Sequence, residues 1–259
     1  MGAASGNKQT PPRRTGVMNH PPTRQVHTIT DRFSMANTYL IDDEQLIVVD
    51  PGSELNVRLT LKYLQDFLHR APTDIDLVVL THLHPDHTAG VNFLRRICST
   101  PVAASAAARQ FAEVKSQSSR AKPGITQLAG QVLSQATLPG ALHHLDLFPP
   151  HYASQVKMID IWLEDVAGLP RHPDWRVIAS PGHTPESLCL YNPFTCELLC
   201  GDTVITIEGG APFIRGATNR RQLEETVRTL RSLEVHYLYP GHGRPILAMR
   251  PLTNVSVEW

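Results

Sequence analysis

The chain has 259 residues, 41% of them hydrophobic, with 24 basic and 24 acidic side chains. A balanced charge and a pI near 7.2 leave no electrostatic footprint for a nucleic-acid backbone or an anionic membrane, so a small-molecule substrate is the expected partner. The four cysteines, Cys98, Cys189, Cys196 and Cys200, form no CxxC pair, and no apolar run approaches the ~18 residues of a membrane span, which together point to a cytoplasmic protein with reduced thiols.

Residues 1–25 are rich in Pro, Gly and Arg, lack the apolar middle of a signal peptide, and are expected to form a disordered tail within which Met18 is an alternative start. Residues 26–259 read as a single domain. "NTYLI" (Asn37 to Ile41) and "LIVVD" (Leu46 to Asp50) predict a hairpin that stops at Pro51-Gly52. From Asn56 to Arg70, Val57, Leu61, Leu64 and Leu68 recur on one face, predicting a helix. "IDLVVLTH" (Ile75 to His82) is apolar without alternation, as expected of a strand covered on both faces, and "TAGVNFLRRI" restarts a helix.

The stretch 104–158 reads as an insertion, helical in "SAAARQFAEVKSQ" and "ITQLAGQVLSQA" and loop-like in "LHHLDLFPPHY". Strands then resume at Trp175 to Ser180, Ser187 to Asn192 and Glu197 to Asp202. A helix from Asn219 to Leu233 and a last strand, "VHYLYP", follow. Strands alternating with helices predict an α/β sandwich.

The chemistry concentrates in "THLHPDHTAG", Thr81 to Gly90. His82 and His84 follow a strand and precede a proline, where residues two apart share a side, so both imidazoles can face one point. Asp86 and His87 begin the next helix. Three further ligand types end predicted strands: His183 in "SPGHTPES", Asp202 in "CGDTVI" and His242 in "YPGHGRP". In open α/β sheets that rim is where ligands collect. His20, His69, His143, His144, His151 and His172 lack this placement and are assigned no metal. Cys196 and Cys200 have no ligand cluster beside them in sequence, so none is assigned to them either.

The order His82-x-His84-x-Asp86-His87, then His183, Asp202 and His242, with the turn Asp50-Pro51-Gly52, resembles the metallo-β-lactamase-fold superfamily from about Asn37 to Arg244. The resemblance implies an αββα sandwich with the site along one edge and the helical insertion over it. It assigns one metal to His82, His84 and His183, a second to Asp86, His87 and His242, Asp202 as the bridge, and Asp50 as a residue orienting a ligand histidine. Imidazoles and carboxylates without thiolate suit two divalent ions, zinc first and iron or manganese as alternatives. Metals roughly 3.5–4 Å apart would hold a hydroxide that attacks a small ester, thioester or lactone carbonyl, with Asp86 relaying a proton.

Departures from individual branches narrow the reading. The common zinc β-lactamases carry Cys where Asp202 stands, and lactonases of this pattern carry Tyr where Ile205 stands. Flavin-linked di-iron members carry Glu where His84 stands, and only 17 residues (259 − 242) follow His242, too few for a glutathione-binding C-terminal region. A mononuclear iron, persulfide-dioxygenase-like oxidoreductase, a phosphodiesterase and a non-catalytic binding module are the alternative readings. Phe148 and Tyr152 are candidate walls of a substrate pocket, and Arg215 a candidate contact for an anionic substrate group.

Overall fold

The computed structural model describes residues 26–31, 36–42, 45–110, 156–206 and 211–257. Two six-stranded sheets form its middle. The first contains, in spatial order, β1 (Val26–Thr30), β2 (Asn37–Asp42), β3 (Leu46–Val49), β4 (Ile75–Leu80), β5 (Val102–Ser105) and β6 (Ile161–Leu163). Strands β1 to β3 pair antiparallel, and β3 to β6 pair parallel. The second contains β7 (Gly168–Leu169), β8 (His172–Ala179), β9 (Leu188–Asn192), β10 (Glu197–Gly201), β12 (Tyr237–Pro240) and β13 (Ile246–Leu247), while β11 (Phe213–Ile214) and β14 (Ser256–Val257) pair with each other. Within the second sheet only β10 and β12 run parallel.

Alternation along each strand sorts side chains into three apolar layers. In β3, Ile47 and Val49 face inward, and in β4 so do Leu77 and Val79, joining Val177, Leu188, Leu190 and Leu199 between the sheets. The intervening Leu46, Val48, Val78 and Leu80 face outward onto Val57, Leu64, Val91 and Leu94 of the helices. On the far side, Cys189, Leu198 and Leu238 pack against Leu223, Val227 and Leu230. The molecule is therefore an αββα sandwich, and β4 is apolar from Leu77 to Leu80 because it is covered on both faces. Each fully buried aliphatic side chain contributes about 1.5–3 kcal/mol.

Among the described residues the α-helices are α1 (Glu54–Tyr63), α2 (Pro85–Thr88), α3 (Val91–Ile97) and α4 (Arg220–Leu230). Helix α1 starts earlier than predicted because the Ser53 hydroxyl accepts from Asn56 N–H (3.1 Å), capping the first turn. A π-helical turn, Leu64–Leu68, continues it and ends at His69, whose φ of 53° is left-handed. Asn219 caps α4 by accepting from Gln222 N–H. The predicted helix after β4 is two short ones, α2 and α3. At the expected start of the insertion, Ala104 and Ser105 complete β5 and Ala106–Arg109 form a 3-10 turn. The further helices expected there, with His143, His144, Phe148, His151 and Tyr152, lie outside the described residues, as does His20.

Candidate metal centre

Strands of both sheets end at one edge, and the residues just past their ends converge. His82, His84, His183 and Asp202 offer ligand atoms within 4.8 Å of one another, and Asp86, His87 and His242 form a second such group. All seven residues singled out as ligands in the sequence are thus brought together. Asn37 on β2 holds the His242 loop across the sandwich, its amide donating to the carbonyls of Pro240 (2.9 Å) and Gly243 (2.7 Å). Gly241 packs so closely that an added Cβ would fall 2.0 Å from Asp202 Oδ1. Gly182 (φ 135°) lets the His183 turn press on α4, where a Cβ would lie 2.3 Å from Leu223 N.

The hydrogen-bond partners set the imidazole tautomers. Thr81 donates its backbone N–H to Asp50 Oδ1 (2.8 Å) and its hydroxyl proton to Asp50 Oδ2 (2.6 Å). With that proton committed, Thr81 Oγ1 accepts from His82 Nδ1–H (3.1 Å), so His82 Nε2 carries a lone pair. His183 Nδ1–H donates to the Gly216 carbonyl (2.9 Å), leaving a lone pair on its Nε2. Both face His84 Nδ1, at 3.0 and 3.1 Å. One imidazole proton cannot satisfy two lone pairs in these directions, whereas a cation on which all three nitrogens converge can. In the second group His87 Nδ1–H donates to Asp50 Oδ2 (2.9 Å), which turns His87 Nε2 towards Asp202 Oδ1 (3.4 Å).

Asp202 spans the two groups. Its Oδ2 lies 3.6 Å from His183 Nε2 and 3.4 Å from His242 Nε2, while its buried Oδ1 has no hydrogen-bond partner. A buried carboxylate oxygen left this way is costly without a cation. The donor set therefore fits divalent metal, with Asp202 reaching towards both groups. Asp50 is also held at a left-handed φ of 50°, backbone strain of the kind that accumulates at functional sites.

Burial drives the His82 pKa well below its ordinary value and that of His84 down to about 4, with neighbouring imidazoles adding to the effect. In the other group burial also disfavours charge, but carboxylates outweigh it. Asp202 and then Asp86 lift His87 well above the usual histidine range, and Asp202 with Asp86 lifts His242 to about 10. Asp86 and Asp202 lie below the carboxylate range, since the facing His87 and His242 overcome burial.

Four supporting residues escaped the sequence reading: Thr81, Asn37, Gly216 and Glu186. Glu186 is buried, and its Oε1 accepts from Leu83 N–H (3.3 Å), tethering the turn between His82 and His84 to the His183 segment. Burial raises its pKa. Only Thr81 and Glu186 had a local signal, being polar residues beside ligands. Ile205 is buried, and Arg215 is exposed beside Gly216. His172 is buried on β8 and His69 is exposed at the end of the π turn, both outside the two ligand groups.

A family model described as the metallo-beta-lactamase superfamily matches residues 31–242. Among curated relatives, the probable metallo-hydrolase YflN of Bacillus subtilis (strain 168) is 24% identical over 238 residues, covering 85% of this chain and 84% of its own. The atrochrysone carboxyl ACP thioesterase of Aspergillus fumigatus is 26% identical over 187 residues, 71% of this chain and 43% of its own. Among solved structures, TTHA1623 in a di-iron-bound form matches with a TM-score of 0.57 at 22% identity, covering 86% of this chain and 94% of that one.

Proposed function

The chain belongs to the metallo-β-lactamase superfamily, and on that premise we propose that it is a dinuclear metal-dependent hydrolase of small esters, thioesters or lactones, with zinc the first choice of metal. The observation that carries this reading is the convergence of imidazole lone pairs and carboxylate oxygens on two adjoining points bridged by Asp202. The relative named as a thioesterase supports an acyl substrate.

His82, His84 and His183 would hold one ion and Asp86, His87 and His242 the other, with Asp202 between them. Bound there, two divalent cations supply a water activated at neutral pH and polarise the oxygen of the scissile carbonyl. The chain's own residues do the rest. Asp50 fixes the ring of His87 and, through Thr81, that of His82, so both ligands are oriented before any metal arrives. Asp86, its Oδ2 3.2 Å from His242 Nε2, would accept a proton from the attacking water and return it to the departing alkoxide or thiolate. His82 and His87 are closed off from solvent, whereas His84, Asp86, His183 and His242 are partly open, which puts the substrate on their side.

Elemental analysis of purified protein, run beside a panel of p-nitrophenyl esters, acyl thioesters and lactones, tests this. About two zinc ions per chain with turnover of an acyl substrate is the expected result. A single iron with oxygen consumption on a thiol-derived substrate would overturn it in favour of the oxygenase. Turnover of phosphodiesters alone would keep the metal reading and displace the acyl one.

A further inference from the structure

Strands β10 and β12 carry the residues of the centre past one end, and at their opposite ends a different set of ligand-type side chains meets. Cys196 sits in the turn from β9 into β10, Glu234 lies between α4 and β12, and His236 immediately precedes β12. They bring a sulfur, a carboxylate oxygen and a ring nitrogen within 4.8 Å of one another. Cys200, the sequence neighbour of Cys196, takes no part, since its thiol is buried against the Val204 and Tyr239 carbonyls. At about 3.3 Å per strand residue from Cys196 to Asp202, this cluster lies roughly 20 Å from the candidate centre.

We propose that Cys196, Glu234 and His236 form a separate binding site for one thiophilic divalent cation, zinc foremost, with water completing its coordination. Thiolate, imidazole and carboxylate are each zinc ligands, and three of them leave one position open. His236 Nε2 is shut off from solvent yet makes no hydrogen bond. Its nearest acid, Glu234 Oε1, lies 3.6 Å away, too far for a hydrogen bond. It is close to the roughly 3.3–3.6 Å that separates two ligands of a tetrahedral zinc with bonds of about 2.0–2.3 Å.

The backbone holds the three positions in place before a metal binds. The Cys196 carbonyl accepts from His236 N–H (2.8 Å) and Tyr237 N–H (3.1 Å), and the Tyr191 hydroxyl donates to the Glu234 carbonyl (2.9 Å). Cys196 itself has φ 57°, where glycine is the comfortable residue, so a side chain is kept there against a backbone penalty. Its thiol, 3.9 Å from the Pro193 carbonyl, is held protonated by burial and by the Glu234 carboxylate. Binding exchanges that proton for the cation: the S–H bond breaks, an S–metal bond forms and one proton leaves to solvent. The bound ion would tie the β9–β10 turn to the α4–β12 connection.

Cobalt(II) titration of the metal-free full-length chain tests the proposal, because the seven-residue centre contains no sulfur. A sulfur-to-cobalt charge-transfer band therefore reports on a cysteine outside the centre, and of the four only Cys196 is not buried. The wild type is expected to show the band, saturating at one equivalent beyond those taken by the centre. Cys196→Gly, which suits the left-handed backbone, is expected to abolish the band while keeping fold and hydrolytic activity. Cys196→Ser should do the same, and His236→Ala should weaken cobalt binding at this site at least tenfold. A wild type that shows no such band with the centre saturated, or a band that survives both Cys196 substitutions, would overturn the proposal.

Discussion

The two halves of the candidate metal centre share Asp202 but solve opposite electrostatic problems. The group of His82, His84 and His183 shares one carboxylate, Asp202, among three imidazoles, and burial keeps His82 and His84 neutral, the latter down to about pH 4. Around His87 and His242 stand three carboxylates, Asp50, Asp86 and Asp202, which hold a proton on His242 up to about pH 10. The first half presents bare lone pairs to an incoming ion. The second already holds positive charge as protons, which a metal must displace. The different balance of carboxylate and imidazole thus yields one half that waits for metal and one in which metal competes with acid.

Removing the shared group should break both halves at once. Asp202→Ala is expected to lower bound metal from about two per chain towards one or none and to cut kcat by about 10³-fold or more, since several kcal/mol of charge stabilisation depend on the bridge. Unchanged metal content with full turnover would refute the assignment. A smaller, asymmetric effect is expected from Asp50→Ala, which frees the His87 ring and deprives Thr81 of its acceptor. Competition with a chelator should show about a 10–100-fold loss of affinity, concentrated in the ion held by His87. Equal loss of both ions would show that the halves are not separable. Thr81→Val removes the hydroxyl that sets the His82 tautomer, and should cost about 1 kcal/mol in unfolding stability with a weaker effect on the first ion only.

The subtlest test is a curve. In metal-free protein His242, raised from 6.5 to about 10, adds stability that is complete below pH 6.5 and is lost as pH climbs towards 10. His84, lowered from 6.5 to about 4, acts with the opposite sign: the unfolded chain takes up its proton first, so stability falls as pH drops from 6.5 towards 4. Thermal melts of chelator-treated protein should peak near pH 6.5 and decline on both sides by a few degrees, on the scale of about 2–4 °C per kcal/mol. Zinc should flatten the alkaline side, because metal-bound His87 and His242 carry no proton to lose. A melting temperature that keeps rising from pH 6.5 to 10 without metal would contradict the proton-filled half.

The layered fold was legible because β4 and the strands around it are apolar on both faces while α4 shows a clean stripe, a pattern with few other solutions. The convergence of the seven side chains was legible because each lies within a few residues of a strand end beside Pro or Gly, and position in sequence there nearly determines position in space. What was hidden depends on distant rotamers. Which nitrogen of His84 faces the site, that Asn37 serves the His242 loop rather than merely beginning β2, and that Cys196 meets His236 all arise from contacts between segments far apart in the chain. The start of α1 was missed for a nearer reason: the apolar period begins at Val57, but Ser53 caps the helix a turn earlier.

The bonds from the Asn37 amide to Pro240 and Gly243 join residues 203 and 206 positions apart. Closing so long a loop comes late in folding, because its entropy must be lost before any contact repays it. Each sheet can gather its own strands, yet neither alone holds all seven of the proposed ligands. Binding competence therefore arrives only when the two sheets dock, and metal uptake during refolding would time that last step.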